Sequence, residues 1–240
     1  MIVAKFITAV VLGYLLGSIP FGVLVGRRNI KGDLREYGSG KIGATNVLRT
    51  VGRKAAVLVV VLDVAKGVLA VVLAGLIVDG SYLVVGDFYL GMLVAQVMAA
   101  LAAMAGHIWS VFLKFRGGRG VATFFGGLIA LCPVAAVFGG GVLIIGAGLT
   151  KFASLGSIAG AVGTYVILVP LTIMSGFPIE YLAYTLIGVI IVIVMHRDNI
   201  VRLVSGTERK LGEKVEMGDL PNSTRLQSQD SQRPPAKGRG

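Results

Sequence analysis

An all-α bundle of membrane-spanning helices is the fold this sequence predicts, and three observations carry the prediction. Of its 240 residues 55% are hydrophobic, and the mean hydropathy of +0.84 lies well outside the range of soluble domains. Apolar runs of about 20 residues recur, the length a helix needs to cross a bilayer core. Thirty-five glycines are spread along the chain, and small residues let helix backbones approach closely in lipid. A net charge of +11 would point to nucleic acid in a soluble chain. Here the charge lies between and after the apolar runs, as the positive-inside rule expects, so no nucleic-acid partner is implied. The single cysteine, Cys132, sits in an apolar run. It excludes an intrachain disulfide and reads as a small packing residue.

The first span is expected over residues 3–26. Lys5 would suit a signal peptide, but no small-x-small cleavage site follows, so the segment reads as a retained helix kinked near Pro20. Residues 27–54 hold eight Lys/Arg (27, 28, 31, 35, 41, 49, 53 and 54) against two acids (33 and 36), a net of +6. That loop is expected in the cytoplasm and the N-terminus outside. Residues 55–78 cross back. Asp63 and Lys66 lie inside this span, one helical turn apart, and can pair on one face. They read either as a functional centre, as buried ionisable groups in membranes often are, or as an ion pair that orients the helix. Residues 79–88 carry Asp79 and Asp87 and no base, which suits an outer loop. A third span, about 89–111, returns inside.

Residues 121–149 are interrupted by Gly126-Gly127, Cys132-Pro133 and Gly139-Gly-Gly141. A single crossing would leave Lys151 and the basic tail outside. A break at Pro133 into two short helices brings Lys151 and the tail inside and puts Glu180 outside, which the charge rule favours. With further spans at about 152–174 and 179–195, seven transmembrane segments are expected, two of them short. The N-terminus is then outside and the C-terminus cytoplasmic; five to six crossings is the alternative. Residues 1–210 form one membrane domain, and 211–240, rich in Gln, Ser, Pro, Lys and Gly, are expected to be a disordered cytoplasmic tail. A sequon at Asn222-Ser-Thr224 would never meet the glycosylation machinery there.

Three polar segments fall on the same expected face. The first is Gly38-Ser-Gly-Lys-Ile-Gly-Ala-Thr-Asn-Val-Leu-Arg49. Its glycines can turn backbone N–H groups toward a ligand, while Ser39, Thr45 and Asn46 offer neutral hydrogen bonds and Lys41 and Arg49 fixed charge. Gly38, Gly43 and Thr45 have P-loop spacing, but Ala44 stands where the phosphate-binding lysine belongs, so this is an anion loop without ATPase chemistry. The second segment carries Lys114, Arg116, Gly117, Gly118, Arg119 and Gly120, with Thr123 opening the next helix, a further anion-binding arrangement. Trp109, Phe112 and Phe115 suit a membrane-interface belt, and His107 reads as a packed side chain. Ser154 and Ser157 follow Lys151 at the same depth, where serines close helix interfaces. The third segment runs Met195-His196-Arg-Asp-Asn199-Ile-Val-Arg202 to Glu208, with His196 and Asn199 on one helical face.

Taken together, these segments resemble the bacterial acyl-phosphate:glycerol-3-phosphate acyltransferase family (the PlsY type). Its hallmarks are Gly-Ser-Gly-Asn-x-Gly-Ala-Thr-Asn, Gly-His…Phe-Lys-Gly-Gly-Lys-Gly-Val-Ala-Thr and His-Arg-x-Asn-Ile-x-Arg-Leu…Gly-x-Glu. All three recur here in order, over roughly residues 1–212. Lys41 replaces the usual asparagine, Arg119 the usual lysine and Ser110 a common proline. Arg119 keeps the charge but trades a point ammonium for a planar fork.

The resemblance implies transfer of a fatty acyl group from acyl phosphate to the sn-1 hydroxyl of glycerol 3-phosphate, giving lysophosphatidic acid and inorganic phosphate at the cytoplasmic face of a bacterial plasma membrane. It implies catalytic roles for Ser39, Arg49, Arg119, His196 and Asn199. It implies substrate contacts from Gly40, Lys41, Gly43, Thr45, Asn46, Gly117, Gly118, Gly120, Thr123, Ser157 and Glu208. The partners are the two substrates and the lipid bilayer; no cofactor or metal is implied, and a monomer is expected to suffice.

The residues agree with that chemistry. An acyl phosphate is already activated, so positioning and charge neutralisation carry the rate. The His-x4-Asp pair of thioester-dependent acyltransferases is absent, since Phe112 and Val201 stand five residues after His107 and His196. The substrate's own phosphate is therefore expected to take the proton. A transporter would instead show a midplane site in broken helices. A lipid-binding scaffold would explain the basic loops but not the placement of glycine, serine and threonine.

Overall fold

The computed structural model describes residues 2–28, 32–86 and 88–213. The tail beyond 213 with its sequon, Lys31 and Asp87 lie outside the described residues. Ten α-helices are found among them, with two 3₁₀ turns and a two-stranded antiparallel hairpin. Helix α1 (Ile2–Ser18) stops just before Pro20, whose ring cannot continue the ladder, and α2 (Phe21–Arg27) resumes after it. A short α3 (Ala44–Thr50) leads into α4 (Arg53–Val78). The hairpin, β1 (Leu83–Val85) and β2 (Phe88–Leu90), joins α4 to α5 (Met92–Ile108).

Pro133 divides the next apolar stretch. Helix α6 (Val121–Leu131) ends at Cys132, and α7 (Pro133–Thr150) begins with proline in the first turn, where its missing N–H costs nothing. Then come α8 (Ala153–Ser175), α9 (Ile179–Met195) and α10 (Arg197–Val204). Five helical stretches are long and apolar enough to cross a membrane: Ile2–Arg27, Arg53–Val78, Met92–Leu113, Pro133–Thr150 and Ala153–Ser175. A sixth counts if α9 and α10, bent by 59°, form one span. The seven expected apolar segments are all helical, but α6 has 11 residues and extends about 16 Å, roughly half a hydrocarbon core of about 30 Å. By length and composition, five to six candidate crossings are found among the described residues, the lower count the sequence also allowed.

Close helix contacts organise the interior. Gly13 and Gly17 on α1 lie against the backbones of Ala99 and Ala103 on α5, where a Cβ would overlap the carbonyls. Tyr184 on α9 stacks on Phe124 of α6 (centroids 5.3 Å apart, 18° between planes) and donates its hydroxyl to the Phe124 carbonyl at 2.8 Å. Such a pair adds about 0.5–1.5 kcal/mol beyond area burial. Outward-facing side chains such as Ile7, Val57, Leu76, Ile144 and Ile173 are exposed and apolar, the inversion expected of a chain whose solvent is lipid.

These directions sort the loops. The hairpin lies at one end of α4 and α5. Toward the other end α5 stops level with the middle of α4, where His107 meets Lys66, and the start of α4 packs on α3 and Leu34. Lys151, which follows α7, reaches that second end too, where its carbonyl accepts from Leu211 N–H at 2.6 Å. The break at Pro133 is what returns it there.

Candidate active site

The first polar loop folds around one side chain. Asn46 is buried (1% exposed), its Nδ2 donating to the carbonyls of Leu34 (3.2 Å), Tyr37 (3.1 Å) and Lys41 (2.9 Å). Its Oδ1 accepts from Ser39 N–H at 3.0 Å. Gly38 and Gly40 take positive φ (60° and 66°), which glycine alone adopts freely and which lets the loop wrap Asn46. Gly43 precedes α3 at its N-cap. Ser39 and Lys41 are thereby presented at the loop surface, and Arg49 comes from the last turn of α3.

The second loop is a tight reversal after α5. Ser110 donates its hydroxyl to the Ser18 carbonyl at 2.6 Å. Lys114 and Phe115 both take positive φ (52° and 61°), an uncommon geometry for a bulky side chain that turns the chain sharply back. Gly117 N–H then meets the Ile108 carbonyl (2.9 Å) and Gly118 N–H the His107 carbonyl (3.0 Å). Gly120, at φ 82°, caps α6. Between these glycines Arg119 projects into a cavity.

The third loop is closed by Glu208. Its Oε1 accepts from Asn199 Nδ2 (2.6 Å) and Ser154 Oγ (2.7 Å), and its Oε2 from Arg202 Nε (2.8 Å). One carboxylate thus joins α8, α10 and the chain beyond. Burial pushes its pKa up, but these three donors and the Arg202 charge outweigh burial and hold it below the ordinary glutamate value.

The loops enclose a cavity of about 200 Å³ lined by Gly38, Ser39, Lys41, Arg49, Arg119, Asp198, Asn199, Arg202, Glu208 and Arg209. Five cations face two carboxylates there, and one carboxylate is already engaged by Arg202. Arg119 is pushed down to about 10 by burial, with further contributions from Arg202 and Arg49, yet it stays charged at neutral pH. Burial also lowers Arg49. Its Nη2 donates to the carbonyls of Arg209 (3.1 Å) and Lys210 (3.3 Å). The Nε atoms of Arg49 and Arg119 and the Oδ1 of Asn199 are buried without hydrogen-bond partners among the described residues. Buried polar groups are costly unless satisfied. A cavity that leaves cationic N–H groups unsatisfied has the chemistry of an anion site.

Of the residues expected at the site, Ser39, Lys41, Arg49, Arg119, Asn199 and Glu208 line the cavity. The others are placed around it. Asn46 is the scaffold of the first loop, while Gly117 and Gly118 pack on α5. Ser157 donates to the Ala153 carbonyl within its own helix (2.7 Å), and Ser154 one turn earlier makes the contact to Glu208. Thr123 Oγ1 is buried without a partner among the described residues, in the first turn of α6. His196 is buried at the α9–α10 bend, with Nδ1 2.8 Å from the Val192 carbonyl. Burial, then the Arg119 charge, depresses its pKa to about 4, so the imidazole is neutral and Nδ1 donates to the carbonyl. Sequence reasoning missed Arg202, Arg209 and Asp198. Arg202 was within reach, because it stands three residues after Asn199 on the same helical face.

Residues 7–206 match the sequence family described as glycerol-3-phosphate acyltransferase. "Glycerol-3-phosphate acyltransferase 3" of Dehalococcoides mccartyi is 64% identical over 214 residues, covering 89% of this chain and 99% of that protein. The glycerol-3-phosphate acyltransferase of Halalkalibacterium halodurans is 42% identical over 204 residues, covering 85% and 94%. Among solved structures the fold is similar to PlsY (YgiH), an integral membrane glycerol 3-phosphate acyltransferase, in its glycerol 3-phosphate form. That likeness has a TM-score of 0.72 at 33% identity and covers 85% of this chain and 94% of that one. The lysophosphatidic acid form of the same enzyme gives a TM-score of 0.70 at 32% identity, covering 87% and 96%.

Proposed function

Since the chain belongs to the glycerol-3-phosphate acyltransferase family, we propose that it moves a fatty acyl group from acyl phosphate to the sn-1 hydroxyl of glycerol 3-phosphate. The observation that carries this reading is the cavity in which Lys41, Arg49, Arg119, Arg202 and Arg209 converge from three loops at one end of a membrane bundle. Two phosphates must be neutralised side by side during the reaction, and five cations against two carboxylates suit that load. The acyl chain lies among helices or in lipid while the polar ends meet in the cavity.

In the proposed step the sn-1 oxygen attacks the acyl carbonyl carbon. A C–O ester bond forms, the bond from that carbon to the phosphate oxygen breaks, and inorganic phosphate leaves with the electron pair. The hydroxyl proton passes to substrate phosphate. His196 is a poor base, because its depressed pKa reflects an environment that resists protonation and its Nδ1 proton is engaged by Val192. Arg49 and Arg119, whose Nε atoms are unpaired among the described residues, hold the phosphate of the acceptor, glycerol 3-phosphate, and proximity with preorganised charge supplies the rate. Asn46 and Glu208 hold the loops in place. The cavity faces the cytoplasm of a bacterial plasma membrane on this reading, and a monomer suffices. A cysteine at Lys151 in a Cys132→Ser background should be labelled from the cytoplasmic side, and labelling from outside intact cells would reverse the orientation.

The test of the reaction is turnover by the purified full chain with labelled glycerol 3-phosphate and either acyl phosphate or acyl-coenzyme A. Lysophosphatidic acid should form with acyl phosphate alone. Comparable turnover with the thioester would overturn the donor assignment.

A further inference from the structure

Lys66 lies in the middle of α4, and only 2% of its side chain is exposed. Its ammonium forms an ion pair with Asp63 Oδ1 at 2.8 Å, although that oxygen makes no hydrogen bond among the described residues. It has two hydrogen-bond acceptors, His107 Nδ1 at 2.8 Å and the Ile19 carbonyl at 3.3 Å. The Phe21 ring lies 5.8 Å from the nitrogen, within cation–π range. One ammonium therefore ties α4 to α5 and to the α1–α2 break. Asp63 supplies its counter-charge, and facing a charged ammonium the His107 Nδ1 is the acceptor, which assigns the ring proton to Nε2.

His107 continues the chain of contacts into the second polar loop. Its carbonyl accepts from Gly118 N–H at 3.0 Å, and a Cβ built on Gly118 would overlap Nε2 of the ring. A Cβ on Gly117 would overlap the His107 carbonyl. The two glycines are thus fitted to the imidazole and to the end of α5, and they do not line the cavity. Arg119 follows directly. Its Nε has no partner among the described residues, so its place depends on how its backbone is anchored.

The geometry points to Asp63, Lys66 and His107 as positioning residues for the acyltransferase reaction. They lock the imidazole beneath Gly117-Gly118 and so set where Arg119 enters the phosphate cavity. This rests on the proposed function only in naming the anion as a substrate phosphate. Buried ions inside a membrane bundle are expensive. A role one loop away from the substrate gives a reason to keep these three without placing any of them in contact with it.

A double-mutant cycle on the full chain tests this. Asp63→Leu with Lys66→Met removes both charges at once, a change that well-packed proteins tolerate. It should raise the KM for glycerol 3-phosphate about 10-fold while kcat changes less than about 3-fold, a size equivalent to about 1.4 kcal/mol of lost phosphate binding. Combined with Arg119→Ala, it should add less than about 2-fold to what Arg119→Ala does alone, because the residue it positions is gone. Multiplied effects, or an unchanged KM, overturn the proposal. His107→Asn, which leaves the Asp63–Lys66 pair intact, must show the same KM effect and the same loss of additivity if the charge-free variant does not fold. A readout independent of turnover is stabilisation by inorganic phosphate. Phosphate should raise the Tm of the wild type and do so less in either variant. A wild type that binds phosphate but makes no product would overturn the function and leave the positioning role to be judged by these shifts; equal shifts in wild type and variants would overturn the positioning role.

Discussion

Lys66 in the middle of the bundle and Arg119 at its end are both cations taken out of water, yet their surroundings differ. Lys66 has a counter-charge, the Asp63 carboxylate on the adjacent turn of its own helix, and two hydrogen-bond acceptors from other elements. Arg119 shares a cavity with four other cations, and its Nε and that of Arg49 find no partner among the described residues. Where the protein intends a charge to hold helices together it supplies the counter-charge. Where it leaves several like charges facing one space, the missing counter-charge is, on the proposed function, the substrate phosphate's. Glu208 stands between the two cases, since it lines the cavity but is consumed by Asn199, Ser154 and Arg202.

The largest expected effect tests the charge-paired centre. Lys66→Met alone leaves Asp63 buried without its partner, and breaking such a pair costs about 3–5 kcal/mol. Folded yield and Tm in detergent should fall sharply, while Arg119→Ala should leave Tm nearly unchanged or raise it, because it relieves repulsion in the cavity. Equal thermal losses in the two variants would erase the distinction between the sites.

A smaller effect is expected at His196. The unfolded chain takes up its proton near the ordinary value of 6.5, whereas the folded protein keeps the imidazole neutral down to about 4. The sign follows: its contribution to stability is full above about 6.5 and is lost as pH falls through about 4. His196→Gln should flatten that acid loss and change turnover by about 2- to 10-fold, the value of one neutral hydrogen bond. A drop of about 10²–10⁴ in kcat, together with loss of a pH limb near 6–7, would make His196 the general base and remove the substrate-phosphate mechanism.

The smallest contrast lies within α8. Ser154→Ala removes one of three donors to Glu208 and should raise the glycerol 3-phosphate KM about 3-fold, well below the value of a hydrogen bond to a charged group because Ser154 acts only through Glu208. Ser157→Ala removes only a bond to its own helix and should stay within about 1.5-fold, as surface substitutions away from a network do. Steady-state KM values for the two variants measured side by side check this, and the reverse order would place Ser157 in the site.

Much of the architecture was legible in the sequence because lipid imposes simple rules. Hydropathy located every apolar helix, and the charge pattern favoured the break at Pro133 that brings Lys151 back beside Leu211. The spacing of Asp63 and Lys66 foretold their pairing, because three residues are one helical turn. Their link to His107, 41 residues away from Lys66, depends on how α4 meets α5, which no local pattern encodes. The same limit applies at the site. Loop composition pointed to the residues that line a cation-rich cavity, but it could not tell a residue that faces the cavity from one that shapes the loop, as Asn46 shows. Ser154 and Ser157 lie one turn apart, and only the rotation of α8 against the segment carrying Glu208 decides which one is used.

The most direct test of the central claim is the KM of each substrate in Arg49→Ala. Arg49 gives the cavity a cation whose Nε lacks a partner among the described residues, and a hydrogen bond to a charged group is worth about 1.5–3 kcal/mol. The glycerol 3-phosphate KM should therefore rise about 10- to 100-fold while that of acyl phosphate moves less than about 3-fold. Equal changes in both, or none in the first, would contradict the assignment of the unpaired cations to the acceptor's phosphate.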